Sequence, residues 1–374
     1  MTTSATAVTD APITQVSATA YTIPTDSPEA DGTLSWDSTT LVVAEVHCGE
    51  TTGMGWTYGD PRCAGIVTGV LAPKIFGCSV FDVTGVFDTM VKAVRNVGRG
   101  GVAGQAVSAV DIAVWDLKAR LLDVPLHRLI GAVRDAVPVY GSGGFTTYDH
   151  LCLRAQLSAW TKEIGIPRVK IKIGESWGTY TRRDISRIRQ ARAIIGDSVE
   201  LYVDANGGYD AKQAIRVMSA VDDMDVRWFE EPVSSDDLAG LRIVREAVTA
   251  DVAAGEYGYD LAYFGRMCCA GAVDCLQADA SRCGGITEWL RAAAVAAAHG
   301  LQISAHCAPW LHAAVGASVP NLRHLEWFHD HARIETRYFD GATLPLDGLL
   351  RLPSDRTGHG LTLRSADLEP FRLP

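Results

Sequence analysis

The sequence predicts an α/β fold built on a parallel sheet closed as a barrel, and three observations carry that prediction. Between about residues 137 and 330, short β-branched or apolar runs alternate with helical stretches, the cadence of strand, helix and strand in one parallel sheet. Asp204, Glu230 and Glu256 each close such a run and stand 26 residues apart in both intervals. One strand, one helix and two loops of a (β/α)₈ barrel fill roughly 25 to 45 residues, so this spacing puts one carboxylate at the end of each of three successive strands. Finally, Arg168-Val169-Lys170-Ile171-Lys172-Ile173 alternates charged and apolar side chains with period two. Arg168, Lys170 and Lys172 therefore share one strand face, and the apolar residues share the other.

Taken in chain order, residues 1 to about 20 are expected to form a loosely held tail. The stretch Pro24 to Gly32 holds Pro, Asp, Ser and Gly and reads as a loop by its turn chemistry. Thr40 to Cys48 reads as a strand. Val102 to Leu122 is strongly helical, with Ala106, Val110, Ala113, Val114 and Leu117 on one face. Val137-Pro138-Val139-Tyr140 opens the barrel alternation. Strands are predicted at 168–173, 200–204, 226–230, 252–256, 273–279, 301–306 and 322–326, with helices such as 287–299 between them. The segment 341–374, with Gly, Pro and short apolar runs, is expected to cross back over the N-terminal part.

Length and composition bound the function. With 374 residues the chain can hold two domains, or one barrel with additions. A hydrophobic fraction of 47% with 21% charged residues is that of an ordinary soluble globular protein. The net charge of −10 argues against nucleic acid and anionic membrane as partners, and an anionic substrate must be drawn in by a local positive site. No run of about 18 apolar residues and no basic n-region with an apolar core is found, so neither a membrane span nor a signal peptide is expected. Nine cysteines without a C-x-x-C pair fit reduced thiols in a cytoplasm.

The chemistry-bearing residues fall at the predicted strand ends. Three hard oxygen ligands, Asp204, Glu230 and Glu256, converging at a barrel mouth make a Mg²⁺ site. In a parallel barrel both strand faces are buried, so Lys170 and Lys172 need partners or a task. Lys172, nearer the strand's C-terminal end, is the better base, with Lys170 lowering its pKa by like-charge repulsion. Asp279 ends one run and His306 the next, so the aspartate can orient and charge-stabilise the imidazole. A hydrogen-bonded structural histidine is the alternative. Glu326 closes the strand after that. Glu231 should face away from Glu230 and is a secondary residue.

These residues carry a resemblance. Lys170-x-Lys172, the ligands Asp204, Glu230 and Glu256, the Asp279–His306 pair, Glu326, the helix Ala106 to Lys118 and the segment Trp228 to Pro232 resemble the enolase superfamily, mandelate racemase subgroup, over about residues 20 to 370. The resemblance implies an N-terminal α+β capping domain (1–136), a modified (β/α)₇β TIM-like barrel (137–340) and a C-terminal segment (341–374) returning to the cap. It also implies capping-domain loops over the barrel mouth, at roughly 21–37 and 53–60, and a homo-oligomer. In that superfamily a Lys or His base works with Mg²⁺ to form an enediolate from a carboxylate substrate.

On that basis the expected activity is Mg²⁺-dependent abstraction of an α-proton, with dehydration of an acid sugar to a 2-keto-3-deoxy acid as the leading reading. Lys172 and His306 would flank the α-carbon, and a protonated Glu326 would donate a hydrogen bond to the developing charge. Asp26, Ser27, Asp31, Ser35 and Asp37, with Trp36 for a sugar face, suit hydroxyl groups, although solvated loop residues would look the same. The alternatives are a racemase or epimerase of a 2-hydroxy acid, a cycloisomerase of an anhydro-sugar acid, suggested by Gln277 to Gly285, and an inactive binding homologue. A metal-dependent hydrolase would place His-x-His on the first barrel strand, and Val137 to Ser142 has none. Gly143-Gly144 is expected to make the first barrel loop flexible, and Trp177 or Tyr180 to reach the mouth and limit substrate size.

Overall fold

The computed structural model describes residues 10–374, and the first nine residues of the expected tail lie outside the described residues. The rest of that expected tail is not loose. Ala11 and Ile13 are buried, and strand β1 (Gln15–Ala30) begins immediately afterwards. It pairs antiparallel with β2 (Ser35–Cys48), which pairs with β3 (Thr51–Tyr58). The expected loop at Pro24–Gly32 is therefore mostly strand, its register broken by a bulge between Pro24 and Glu29. β1 is the edge of this sheet, where a proline leaves no ladder hydrogen bond unmade.

Helix α1 (Val102–Leu121) lies across the three-stranded sheet. Gly53 and Gly55 of β3 allow this close approach, because a Cβ at either position would run into the backbone of Ala109 or Ala113. Buried Ala106, Val110, Ala113, Val114 and Leu117 pack the interface, the face read from the sequence.

Eight parallel strands form the barrel: β4 (Ala136–Gly143), β5 (Arg168–Lys172), β6 (Glu200–Asp204), β7 (Val226–Glu230), β8 (Asp251–Ala254), β9 (Cys275–Ala278), β10 (Gln302–Ala305) and β11 (Leu322–Phe328). β11 closes the ring on β4, with Leu325 opposite Val139 and Glu326 opposite Tyr140. Apolar side chains such as Val169 and Ile171 point outward into the core shared with the surrounding helices. Inside, Tyr140, Tyr202, Trp228 and His324 stack against one another and fill the barrel beneath the lysines.

Several contacts lay the N-terminal hairpin over the C-terminal ends of the barrel strands. Thr146, after β4, donates from its backbone to Ala30 O and from its hydroxyl to Asp31 O, each at 2.8 Å. Trp177 N–H reaches Gly32 O at 2.9 Å. At the other end of the chain, strand β12 (Leu349–Arg351) pairs antiparallel with β4. His359 N–H and Met54 N–H both donate to Asp116 of α1, and Leu373 N–H donates to Ala20 O. No helix among the described residues is long and apolar enough to cross a membrane.

Candidate active site

The strand register aligns the site. Lys172, Asp204 and Glu230 are the last residues of β5, β6 and β7 and stand opposite one another in the ladder. Glu256 lies two residues beyond β8, past Gly255. That glycine sits at φ +133°, and a Cβ on it would collide with Gln277 O, so the turn that aims Glu256 needs glycine. Asp279 follows β9 directly, His306 follows β10 directly, and Glu326 sits within β11. These seven side chains, and Lys170 within β5, are buried.

Carboxylate oxygens of Asp204, Glu230 and Glu256 lie within 4.8 Å of one another. Glu256 Oε2 is buried without a hydrogen-bond partner. Three converging carboxylates, one with an unused oxygen, fit a hard divalent cation. Lys170 bonds Glu230 and lies 2.7 Å from Glu326 and 3.4 Å from Asp204. Burial would lower its pKa, but Glu230 and Glu326 outweigh that and hold it well above the ordinary lysine value.

Burial and Lys170 both push the pKa of Lys172 down, and the adjoining Asp204 carboxylate outweighs them and holds it up. Glu326 meets the opposite influences. Burial alone would raise its pKa, but Lys170, His306 and Lys172 hold it well below the carboxylate range. It accepts a hydrogen bond from Cys307 N–H at 2.9 Å.

His306 Nδ1 is 2.8 Å from Asp279 Oδ2, which turns Nε2 toward the cavity, where Cys307 Sγ lies 3.1 Å from it. Burial works against ionisation of Asp279, but its hydrogen bond and charge interaction with His306, together with Arg282 and His312, hold its pKa well below the usual value. Ser281 N–H and the Arg282 guanidinium support the same carboxylate.

Lys172, Glu256, Asp279 and His306 line one cavity of about 280 Å³ beneath the N-terminal hairpin. Its far wall is made by Asp31, Leu34, Trp36, Ser38, Thr39 and Thr40, with Tyr58 and His331 stacked at 3.5 Å between ring centroids. Residues 21–37 and 53–60 thus contribute to the wall, through Asp31 and Leu34 in the turn between β1 and β2, Trp36 and Tyr58 on strands, and Gly59 just past β3. Asp26, Ser27, Ser35 and Asp37 are not part of it; Asp26 instead lies 3.4 Å from His329. Trp177 and Tyr180 do not line this cavity and are 66% and 56% exposed. Gly144 N–H is tied to Gln156 at 2.7 Å.

Glu231 also departs from expectation. Its φ of +38° turns its carboxyl inward, where burial and the charges of Glu256, Asp204 and Glu230 push its pKa well above the usual value. Sequence reasoning missed Cys307, whose Sγ sits 3.1 Å from His306 Nε2, and Arg282, 3.3 Å from Glu256. Their signal was position alone, one residue past His306 and three past Asp279.

The sequence matches the family described as mandelate racemase/muconate lactonizing enzyme, N-terminal domain, over residues 16–131, and enolase C-terminal domain-like over 153–367. The L-talarate/galactarate dehydratase of Salmonella typhimurium is 32% identical over 338 residues, covering 86% of this chain and 80% of the relative. The 3,6-anhydro-alpha-L-galactonate cycloisomerase of Streptomyces coelicolor is 34% identical over 319 residues, covering 83% and 85%. A racemase from Streptomyces coelicolor A3(2), solved with bound magnesium, superposes with a TM-score of 0.90 at 30% identity, covering 96% of this chain and 100% of its own.

Proposed function

Because the chain belongs to the mandelate racemase/muconate lactonizing enzyme family of the enolase superfamily, we propose that it is a Mg²⁺-dependent hydro-lyase that converts a sugar acid to a 2-keto-3-deoxy acid. The observation that carries this reading is one cavity lined by Lys172 and by His306, with Asp279 on the far ring nitrogen of the histidine. A base and an acid that meet at one substrate are what a β-elimination requires.

Asp204, Glu230 and Glu256 would hold the Mg²⁺, which when bound draws charge from the substrate carboxylate and makes the neighbouring C–H acidic. Lys172 Nζ takes the α-proton, and the C–H electron pair passes toward the carboxylate. His306, protonated at Nε2 and steadied by Asp279, gives that proton to the β-hydroxyl. The C–O bond breaks, water leaves, and the resulting enol becomes the 2-keto acid. Lys170 holds Glu230 and Glu326 in place. With Asp204 committed to the cation, Lys172 keeps the repulsion of Lys170 and loses its proton more readily.

Ser38, Thr39, Thr40, Ser281 and Asn206 on the cavity wall support a hydroxyl-rich substrate. Cycloisomerisation of an anhydro-sugar acid is the second reading, favoured by the 34% identity to such an enzyme. Nine unpaired cysteines suit a reducing cytoplasm, and a homo-oligomeric state belongs to the same proposal. The test is a panel of aldonic, aldaric and anhydro-sugar acids with Mg²⁺, read by trapping the carbonyl of the product with semicarbazide. Keto-acid formation from at least one aldonic or aldaric acid, with the mass of one water lost, is expected. A panel in which only stereoisomers or ring-opened isomers form would contradict dehydration.

A further inference from the structure

Beside the three-carboxylate set, a second group of buried donors converges, and its chemistry differs. His306 Nε2, Cys307 Sγ and a Glu326 oxygen lie within 4.8 Å of one another. Cys307 Sγ is 3.1 Å from Nε2, Glu256 Oε2 is 3.4 Å from it, and Glu326 Oε2 is 3.9 Å from it. Zn–N bonds of about 2.0 Å and Zn–S bonds of about 2.3 Å in a tetrahedral site set neighbouring donors roughly 3.3 to 3.6 Å apart. These separations bracket that value.

Two further features belong to a built site. Asp279 already holds the other ring nitrogen of His306, the carboxylate–histidine arrangement that orients imidazole toward a bound metal. Cys307 and Ala308 both sit in the left-handed region, at φ +51° and +38°, which turns the thiol back toward the imidazole. Glu326 and His331 secure that turn by accepting the two backbone N–H groups. Glu256 Oε2 is a buried oxygen without a hydrogen-bond partner, and Glu326 Oε1 is held by Lys170 at 2.7 Å.

We propose that His306, Cys307 and Glu326, with Glu256 at the edge, form a second cation site that takes a thiophilic ion of the Zn²⁺ class, and that its occupation silences His306. A mixed N, S and O set favours such ions, whereas Mg²⁺ prefers oxygen ligands alone. Burial keeps the Cys307 thiol protonated, so loading releases a proton from it. Because Glu256 borders both sites, the two cations are coupled. The silencing of turnover rests on the role given to His306 above, but the site itself does not.

The test titrates Co²⁺ into the full chain held in excess Mg²⁺. A near-ultraviolet sulfur-to-cobalt charge-transfer band saturating at one equivalent is expected, and Zn²⁺ should bleach it. Cys307→Ser should abolish the band. Cys269→Ser, which removes the exposed Cys269–His299 pair with its 3.8 Å S···N separation, should leave it intact. No band in the parent protein, a band that survives C307S, or one lost in C269S would each overturn the site. X-ray absorption of the zinc-loaded parent needs no variant: one sulfur at about 2.3 Å supports the site, and a shell without sulfur contradicts it. One equivalent of Zn²⁺ should cut parental turnover at least tenfold and that of C307S less than twofold, each against its own uninhibited rate. Equal inhibition of both would overturn the silencing while leaving the proposed dehydration standing.

Discussion

Asp279 Oδ2 and His306 Nδ1 are joined by a buried 2.8 Å hydrogen bond between residues that each follow a barrel strand, β9 and β10. The bond fixes which ring nitrogen meets the cavity and stabilises the imidazole when it carries a proton.

Asp279→Asn should keep the shape of this pair but remove its charge. The imidazolium then loses its counter-ion, and kcat/KM should fall by roughly 10²- to 10⁴-fold, the usual worth of a positioned acid or base. Steady-state kinetics beside an unchanged circular dichroism spectrum check this.

Chelation should abolish activity, and Mg²⁺ should restore it. Glu256→Gln weakens the three-carboxylate set and should lower kcat/KM by about 10³-fold, the scale of lost transition-state charge stabilisation. Magnesium should also raise the melting temperature of the parent protein, because a ligand at 100 times its Kd stabilises by about 2.7 kcal/mol. Calorimetry with and without Mg²⁺ reads the difference, which should shrink in the variant.

The cavity wall opposite the lysine and histidine carries Asp31 and Asp330. A second carboxylate on the substrate would meet these charges, so aldonates should be turned over better than the matching aldarates. Asp31 Oδ1 caps the turn at Thr33 and Leu34, a role asparagine can keep. Asp31→Asn should therefore fold normally and narrow the preference by about five- to tenfold, an effect on the order of 1 kcal/mol. Comparison of kcat/KM for one aldonate and its aldarate checks it.

Glu335 ties the two parts of the chain together, accepting from Trp56 and Tyr58 of β3 and from Trp310 N–H. Burial is the largest influence on it and pushes its pKa up from 4.5 to about 8. A carboxyl whose folded pKa is raised adds stability that is fully present below its unfolded pKa and lost as pH rises through the folded one. The melting temperature should fall between pH 4.5 and about 8. Glu335→Gln should flatten that slope in thermal melts across the range.

Much of the barrel was legible because period-two runs ended on charged residues. Arg168–Lys172, Glu200–Asp204 and Val226–Glu230 are strands with the carboxylates or lysine at their ends. Glu256, Asp279 and His306 lie just past strand ends instead, since turns rather than the ladder aim them. The hairpin over the mouth was misread because Pro24, Asp26 and Ser27 occupy a bulged edge strand, where turn-forming residues are tolerated. The electrostatic surroundings of Lys172 and Glu326 were illegible for another reason. They depend on Asp204, Lys170 and His306, which face them from other strands and have no fixed sequence offset. Cys307 carries no periodic signal at all.

The division of labour between Lys172 and His306 is tested most directly by proton NMR of a substrate sugar acid in D₂O with Mg²⁺, using His306→Asn and Lys172→Met. The account predicts that H306N still exchanges the α-proton for deuterium without losing water, while K172M does neither. Exchange that persists in K172M, or is lost in H306N alone, would contradict Lys172 as the base.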